Sequence, residues 1–350
     1  MKKDLEMARK SATFDSIIRI VSDMRKPILT FCLCAAACIS CGNGASVNPE
    51  FTGYLFAHMT NSHYGRLYYS LSRDGKEWEE MNGGEIVLED YLGHPNISRG
   101  DGRFYMMGVT TSGELRQPVL WSSADLVNWE RKDLSRDIFD VSEFAYENES
   151  VYLGAPKIFF DGDNSRYIVT WHAYDPAAGP GNPLWESMRT FYFLTSDWEN
   201  FTKPRRLFDF SGNDASMATI DVILNKEDDR YYALIKDERW PETAATGKTI
   251  RVASAESLTG PYTNPGPPVT DAWEEAPVAL RKNDGSGWYL FTERYLESSC
   301  RYCCRETGRL DSDEWSQVQI SSPEDGRHGC VIPVTEYEYQ AIKEKFGSAR

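Results

Sequence analysis

Along most of the chain, runs of β-branched and aromatic residues alternate with short polar stretches, and this period of two predicts strands rather than helices. Arg103-Phe-Tyr-Met-Met-Gly-Val109, Arg166-Tyr-Ile-Val-Thr-Trp171, Arg230-Tyr-Tyr-Ala-Leu-Ile235 and Gly287-Trp-Tyr-Leu-Phe291 are such runs, most of them preceded by Asp-Gly or Asn-Asp-Gly turns. A second set ends at Ser or Thr, at Ser72, Ser123, Thr195 and Ser254. At or just after these ends comes a polar phrase with an acidic residue and then an aromatic. It reads Ser72-Arg-Asp-Gly-Lys-Glu-Trp78, Ser123-Ala-Asp-Leu-Val-Asn-Trp129, Ser196-Asp-Trp-Glu-Asn-Phe201 and Ser254-Ala-Glu-Ser-Leu-Thr-Gly-Pro-Tyr262, and returns as Leu310-Asp-Ser-Asp-Glu-Trp315. A helical period is found only in Glu336–Phe346.

A phrase that returns at intervals of about 50–70 residues, each repeat holding about four strands, predicts an all-β, five-bladed β-propeller in a single domain over residues 51–346. One blade alone has bare edges and an uncovered face, and closing the ring removes both. The strand Phe51-Thr-Gly-Tyr-Leu-Phe-Ala57 is expected near Cys330-Val-Ile-Pro-Val334, where the ring would close. A β-sandwich accounts for the strands but not for the fivefold phrase.

Composition narrows the partner. Of 350 residues, 10 are Trp, 19 Tyr and 16 Phe, and the net charge is -15. Such an acidic surface repels phosphate backbones and argues against nucleic acid. Aromatics with acid suit a neutral ligand such as a sugar. Residues 1–41 read as an export signal: Arg25-Lys-Pro, an apolar run Ile28–Ile39 too short to span a membrane, then Ser40-Cys41. Met24 before the basic pair suggests that 1–23 is a misassigned start, and 42–50 reads as a linker. The Ser40-Cys41-Gly42 junction resembles a bacterial lipoprotein signal, with Cys41 lipidated, although Cys38 stands where an aliphatic residue is usual. This implies an exported bacterial protein, periplasmic or held at the outer membrane only through that lipid. Cys300, Cys303 and Cys304 lack the paired spacing of a zinc site, and export favours a disulfide from one of them to Cys330.

Chemistry is expected where the innermost strands of the five blades begin, since equivalent places meet around one axis. These starts read Leu92-Gly-His94-Pro, Leu153-Gly-Ala-Pro-Lys157-Ile, Thr219-Ile-Asp221-Val, Glu274-Glu275-Ala-Pro and Arg327-His328-Gly. Together with Lys236-Asp-Glu238 and Ile250-Arg-Val-Ala-Ser they resemble glycoside hydrolase family 43 over about residues 51–345. That resemblance implies inverting enzymes that remove arabinose, xylose or galactose from polysaccharides. It implies Glu275 as the general acid and Asp221 as the residue that raises the pKa of Glu275 and orients it. Inverting hydrolysis wants a protonated carboxyl and a base roughly 6.5–9.5 Å apart, with water between.

Two positions depart from the family. Where it has the base Asp, this chain has His94; an imidazole can accept a proton, and Asp90 is a substitute for the role. Lys157 stands where many relatives are acidic. The pair suggests an acidic sugar or an unusual linkage, and the loss of the Asp leaves open a non-catalytic sugar-binding propeller. His328 matches an axial His that in relatives lies beside a central calcium or water. No cofactor is required by this reading, and a structural calcium is the only metal it admits, with His328 as a minor ligand. His172 is expected to face the pocket, Glu238 and Arg239 to line its rim, and Trp171, Trp185, Trp240 and Trp273 to be candidates for stacking on sugar rings.

Overall fold

The computed structural model describes residues 50–111, 117–147, 153–178, 182–296, 301–323 and 325–347. The expectations for residues 1–49, Cys41 included, lie outside them. The described residues form the five-bladed propeller. The chain enters through β1 (Phe51–Thr60), β2 (Tyr68–Ser72) and β3 (Glu79–Glu80). Blade one is β4 (Ile97–Arg99), β5 (Phe104–Val109), β6 (Pro118–Ser123) and β7 (Trp129–Asp133). Blade two is β8 (Gly154–Asp161), β9 (Arg166–Ala173), β10 (Arg189–Thr195) and β11 (Arg205–Arg206). Blade three has three strands, β12 (Thr219–Glu227), β13 (Arg230–Asp237) and β14 (Ile250–Ala255). Blade four is β15 (Glu274–Arg281), β16 (Trp288–Arg294), β17 (Arg301–Thr307) and β18 (Ser316–Val318). The last strand, β19 (Gly326–Thr335), pairs antiparallel with β1, so blade five runs β19-β1-β2-β3 and the two ends of the propeller close the ring.

The alternation of each strand feeds two neighbours at once. Tyr54 and Phe56 of β1 pack toward blade four, while Leu55 and Ala57 pack toward blade one. In β13, Tyr231 and Ala233 face blade two and Tyr232 and Leu234 face blade four. Side chains on successive positions point to opposite faces, so one period-two pattern fills five separate inter-blade cores. Each fully buried Phe or Leu there contributes about 1.5–3 kcal/mol. Trp78, Trp121, Trp129, Trp171, Trp198, Trp288 and Trp315 all belong to these cores, which is where most of the aromatic load goes.

The predicted helix is present as Glu336–Phe346, after a shorter one at Asn182–Glu186. Thr335 caps it through a reciprocal bond with Glu338, and the Arg99 guanidinium grips the Glu338 carboxylate at 2.7 Å. Tyr339, Ile342 and Phe346 seal the core between blades five and one. Among the described residues the expected disulfide to Cys330 is not formed: Cys303, Cys304 and Cys330 are free thiols, and Cys300 lies outside the described residues. Cys330 faces the blade five–one core, and Cys304 faces the blade four–five core, so the strand alternation sends their side chains to different interfaces.

Candidate active site

All five inner strands start at the same end of the axis, so the loops before them and after each second strand share one mouth. At that level the inner strands carry bulges. Register slips between Gly154 and Lys157, between Ile220 and Ile223, between Glu275 and Val278, and opposite Gly329 and Arg327. Ala155, Asp221 and Ala276 take left-handed φ values of 41°, 51° and 49° at these slips. A bulge re-aims the next side chain, and a left-handed backbone at a non-glycine residue is held only where the surroundings enforce it. Here the bulges turn chemistry into the axis: Lys157, Asp221, Glu275 and His328 gather around it with His94 and His172.

The acid side is built on blade four. Glu274 and Glu275 alternate. Glu274 is fully buried, accepting from Thr292 Oγ1 at 2.6 Å and Arg305 at 2.6 Å. Glu275 points the other way, its carboxylate 3.5 Å from Lys236 Nζ, 3.3 Å from Arg327 and 3.5 Å from His328 Nε2. Burial raises its pKa to about 8, against the pull of Lys236 and with help from the charges of Glu293 and Asp221. It is a carboxyl that keeps its proton at neutral pH.

Asp221 is the opposite case. Burial alone would raise its pKa, but His328, His172, Lys157 and His94 outweigh that and hold it below the ordinary carboxylate range. The rings of His94 and His328 are stacked 4.4 Å apart and 17° from parallel, and His94 Nε2 lies 3.0 Å from Tyr64 Oη. Burial pushes the His94 pKa well down, with His328 and Lys157 adding to it, and takes His172 to about 4. Gly154 makes room for His172: a Cβ there would come within 2.1 Å of the ring. Burial likewise lowers the pKa of Lys157, opposed by Asp221.

Several expected positions sit elsewhere. Trp171 is 1% exposed and packed against Phe139 and Phe193 in the blade one–two core, so it presents no face to a sugar; its neighbour His172 takes the axial side of the strand. Arg239 does not line the rim but is buried, held by Asp237 at 2.7 Å and Asp214 at 2.9 Å. Asp90 is exposed. Glu238 is buried and paired with Lys248 and with Lys236, the latter at 3.4 Å. Trp240 and Trp273 do lie together at the mouth, edge to face at 5.7 Å, with Tyr295 edge-on to Trp273 at 6.0 Å. Tyr295 Oη accepts from Lys236 at 3.2 Å, which joins this aromatic corner to Glu275. Trp185 is 42% exposed on the short helix.

The sequence reading missed Glu293, Lys236, Arg327, Tyr64 and Tyr295 as site residues. Glu293 is fully buried at the end of β16; it accepts from the His328 amide at 2.6 Å and from Arg327 at 2.8 Å. Its signal was a carboxylate closing the apolar run Trp-Tyr-Leu-Phe-Thr-Glu293, a place that the propeller topology puts at the mouth.

The residues present do not fit a calcium. His94, Asp221 and His328 bring ligand atoms within 4.8 Å of one another, but they offer two nitrogens and one carboxylate, where calcium wants about 6–8 oxygens. The stacked, nearly parallel rings also cannot both aim a lone pair at one ion.

A family model described as "Probable glycosyl hydrolase domain", of the family 43-related group, matches residues 49–340. The chain belongs to the family 43-related glycosyl hydrolases. It is a glycosidase, and the family membership agrees with the resemblance read from its inner-strand motifs. No curated protein sequence matches it. Among solved structures it is similar to the catalytic domain of an α-L-arabinofuranosidase from Coprinopsis cinerea, at 12% identity over 67% of this chain and 69% of that one, TM-score 0.45. It is similar also to a xylan β-1,4-xylosidase from Bacillus halodurans, at 15% identity over 79% and 57%, TM-score 0.49. A third is an exo-β-1,3-galactanase from Phanerochaete chrysosporium, at 16% identity over 66% and 50%, TM-score 0.45.

Proposed function

We propose that this glycosidase is an inverting enzyme that removes arabinose-, xylose- or galactose-type sugars from a polysaccharide or oligosaccharide at the axial mouth. The observation that carries the reading is Glu275: a carboxyl held protonated to about pH 8 by burial, on the axis and close to a carboxylate, Asp221, held ionised. A pair of carboxyls whose environments push their pKa values apart is the arrangement glycoside hydrolysis requires. Glu275 gives its proton to the leaving oxygen, and a base on the axial wall formed by Asp221 and His94 takes one from water. Trp240, Trp273 and Tyr295 give the sugar an aromatic corner beside the acid.

A second reading concerns the substrate rather than the reaction. Lys157 and Lys236 are buried cations at the axis and Arg327 adds a third charge, which favours a uronic acid-containing glycan. We also propose export and lipid attachment at Cys41. The test is a panel of 4-nitrophenyl arabinofuranoside, xyloside, galactoside and glucuronide, with pectic and xylan oligosaccharides, assayed for the wild type and Glu275→Gln. Product anomers are read by proton NMR. Activity lost in Glu275→Gln, with inverted product, supports the reading; activity that survives Glu275→Gln overturns the acid. Turnover of neutral glycosides alone overturns the uronic preference. Labelled palmitate in the wild type but not in Cys41→Ala tests the anchor.

A further inference from the structure

Resting on that reading, we infer that the general base is Asp221 rather than the histidine in the blade-one base place, and that Glu293 is the buried carboxylate positioned against the acid, Glu275. Both ring nitrogens of His94 are out of play. Nε2 faces Tyr64 Oη at 3.0 Å, and Nδ1 is sealed from solvent with no hydrogen-bond partner among the described residues. The ring is fixed flat against His328. A base has to reach the proton it removes, within about 2.6–3.2 Å of the water oxygen. Nε2 reaches a water only by giving up Tyr64, and Nδ1 only if the surface that seals it opens.

Asp221 is itself buried, yet its carboxylate is not tied down. The bulge at Ile220–Ile223 and its φ of 51° turn the side chain inward, and no described residue donates a hydrogen bond to its carboxylate. His328 lies near both Asp221 and the acid: ligand atoms of Asp221 and His328 lie within 4.8 Å, and His328 Nε2 is 3.5 Å from Glu275 Oε1. Both carboxyls are thus neighbours of one imidazole, and His328, His172, Lys157 and His94 favour the ionised form of Asp221. In the step, water loses a proton to Asp221 while its oxygen bonds to the anomeric carbon. The glycosidic C–O bond breaks, and the leaving oxygen takes the proton of Glu275. Solvent then returns the Asp221 proton to Glu275.

Burial holds Glu275 in its acid form, and among the neighbouring charges Glu293 adds to it ahead of Asp221. Glu293, within 4.8 Å of Glu275 and of His328, is the fully buried carboxylate placed to do it. It is a positioning residue, acting through Glu275.

The experiment uses Asp221→Gly and Asp221→Asn, because glycine and asparagine both tolerate a left-handed backbone. His94→Gly is compared with them on the aryl glycoside that the wild type cleaves best. Asp221→Gly is expected to lose about 10²–10⁴-fold in kcat and to regain activity with added azide. Azide needs no proton removed, and the product is a glycosyl azide of inverted configuration. His94→Gly is expected to lose about tenfold or less and to gain nothing from azide. Azide rescue of His94→Gly but not of Asp221→Gly overturns the assignment and makes His94 the base. An Asp221→Asn variant that keeps its kcat and only moves the upper pH limb also overturns it, making Asp221 a modulator. Glu293→Gln is expected to move that upper limb downward from about 8; an unmoved limb removes Glu293 from the scheme. A wild type without turnover on every glycoside would instead sink the glycosidase mechanism itself, and with it any base.

Discussion

The two ends of the propeller solve opposite problems. At the far end from the mouth, the turns between third and fourth strands look after themselves. Ser72, Ser123 and Thr195 each accept from the amide three residues on, at Gly75, Leu126 and Trp198. Asp74, Asp125 and Asp197 each accept from the amides two and three residues on. The same third position takes the left-handed region each time, at φ 76°, 65° and 58°. At the mouth, by contrast, the groups depend on partners far along the chain. Glu275 leans on Lys236 and Arg327, Glu274 on Arg305, and His94 on Tyr64. Nitrogens of His94 and His328 are buried without a partner among the described residues. Stability is local at one end, and at the other it is given up for reactivity.

The sharpest break in this contrast is expected from Glu275→Gln, which removes the transferable proton while keeping the shape. It should lower kcat about 10²–10⁴-fold, with the melting temperature unchanged or raised, since a buried acid with a raised pKa adds no ionic stability. In the wild type the acid form of Glu275 is needed, so activity should be flat through neutrality and fall as pH rises through about 8. A fall near the ordinary carboxylate value instead would mean that the acid is not the buried one.

Next comes Arg305→Met, which takes from the buried Glu274 its two-pronged partner and leaves it Thr292 and the Arg294 guanidinium at 3.3 Å; the expected cost is about 3 kcal/mol of unfolding free energy by denaturant titration. No measurable loss would mean that the mouth is less dependent on its long-range pairs than its geometry implies. Trp240→Ala should raise KM about tenfold with kcat little changed, as removing a stacking face costs roughly 1 kcal/mol or somewhat more. The smallest effect is expected at the other end. Asp125→Ala should cost about 1 kcal/mol for its turn hydrogen bonds and leave kcat/KM untouched. An Asp125→Ala that impaired catalysis would show the two ends to be coupled.

This contrast also explains what could be read from the residues alone. The far-end turns are written in consecutive residues, so Ser-Arg-Asp-Gly and Ser-Ala-Asp-Leu recur visibly and give away the number of blades. The strand runs were equally visible, and the starts of β12, β15 and β19 pointed to Asp221, Glu275 and His328. What stayed hidden needed the ring. Glu293 and Lys236 are ordinary strand-end residues until the blades bring them to His328 and Glu275. Trp171 and His172 are adjacent, and only the face each takes separates core packing from the axis. Cys330 and Cys304 face different interfaces for the same reason, and so remain thiols.

The pairing of β1 with β19 carries a consequence for when the enzyme can work. Arg327 and His328, which touch the acid, lie on β19, the strand that closes the ring against β1. A chain interrupted anywhere before residue 326 lacks both, together with the inner wall of blade five. The site and the seam are thus one structure: whatever unzips β19 from β1 also takes the acid's partners off the axis, so catalysis reports on closure of the ring.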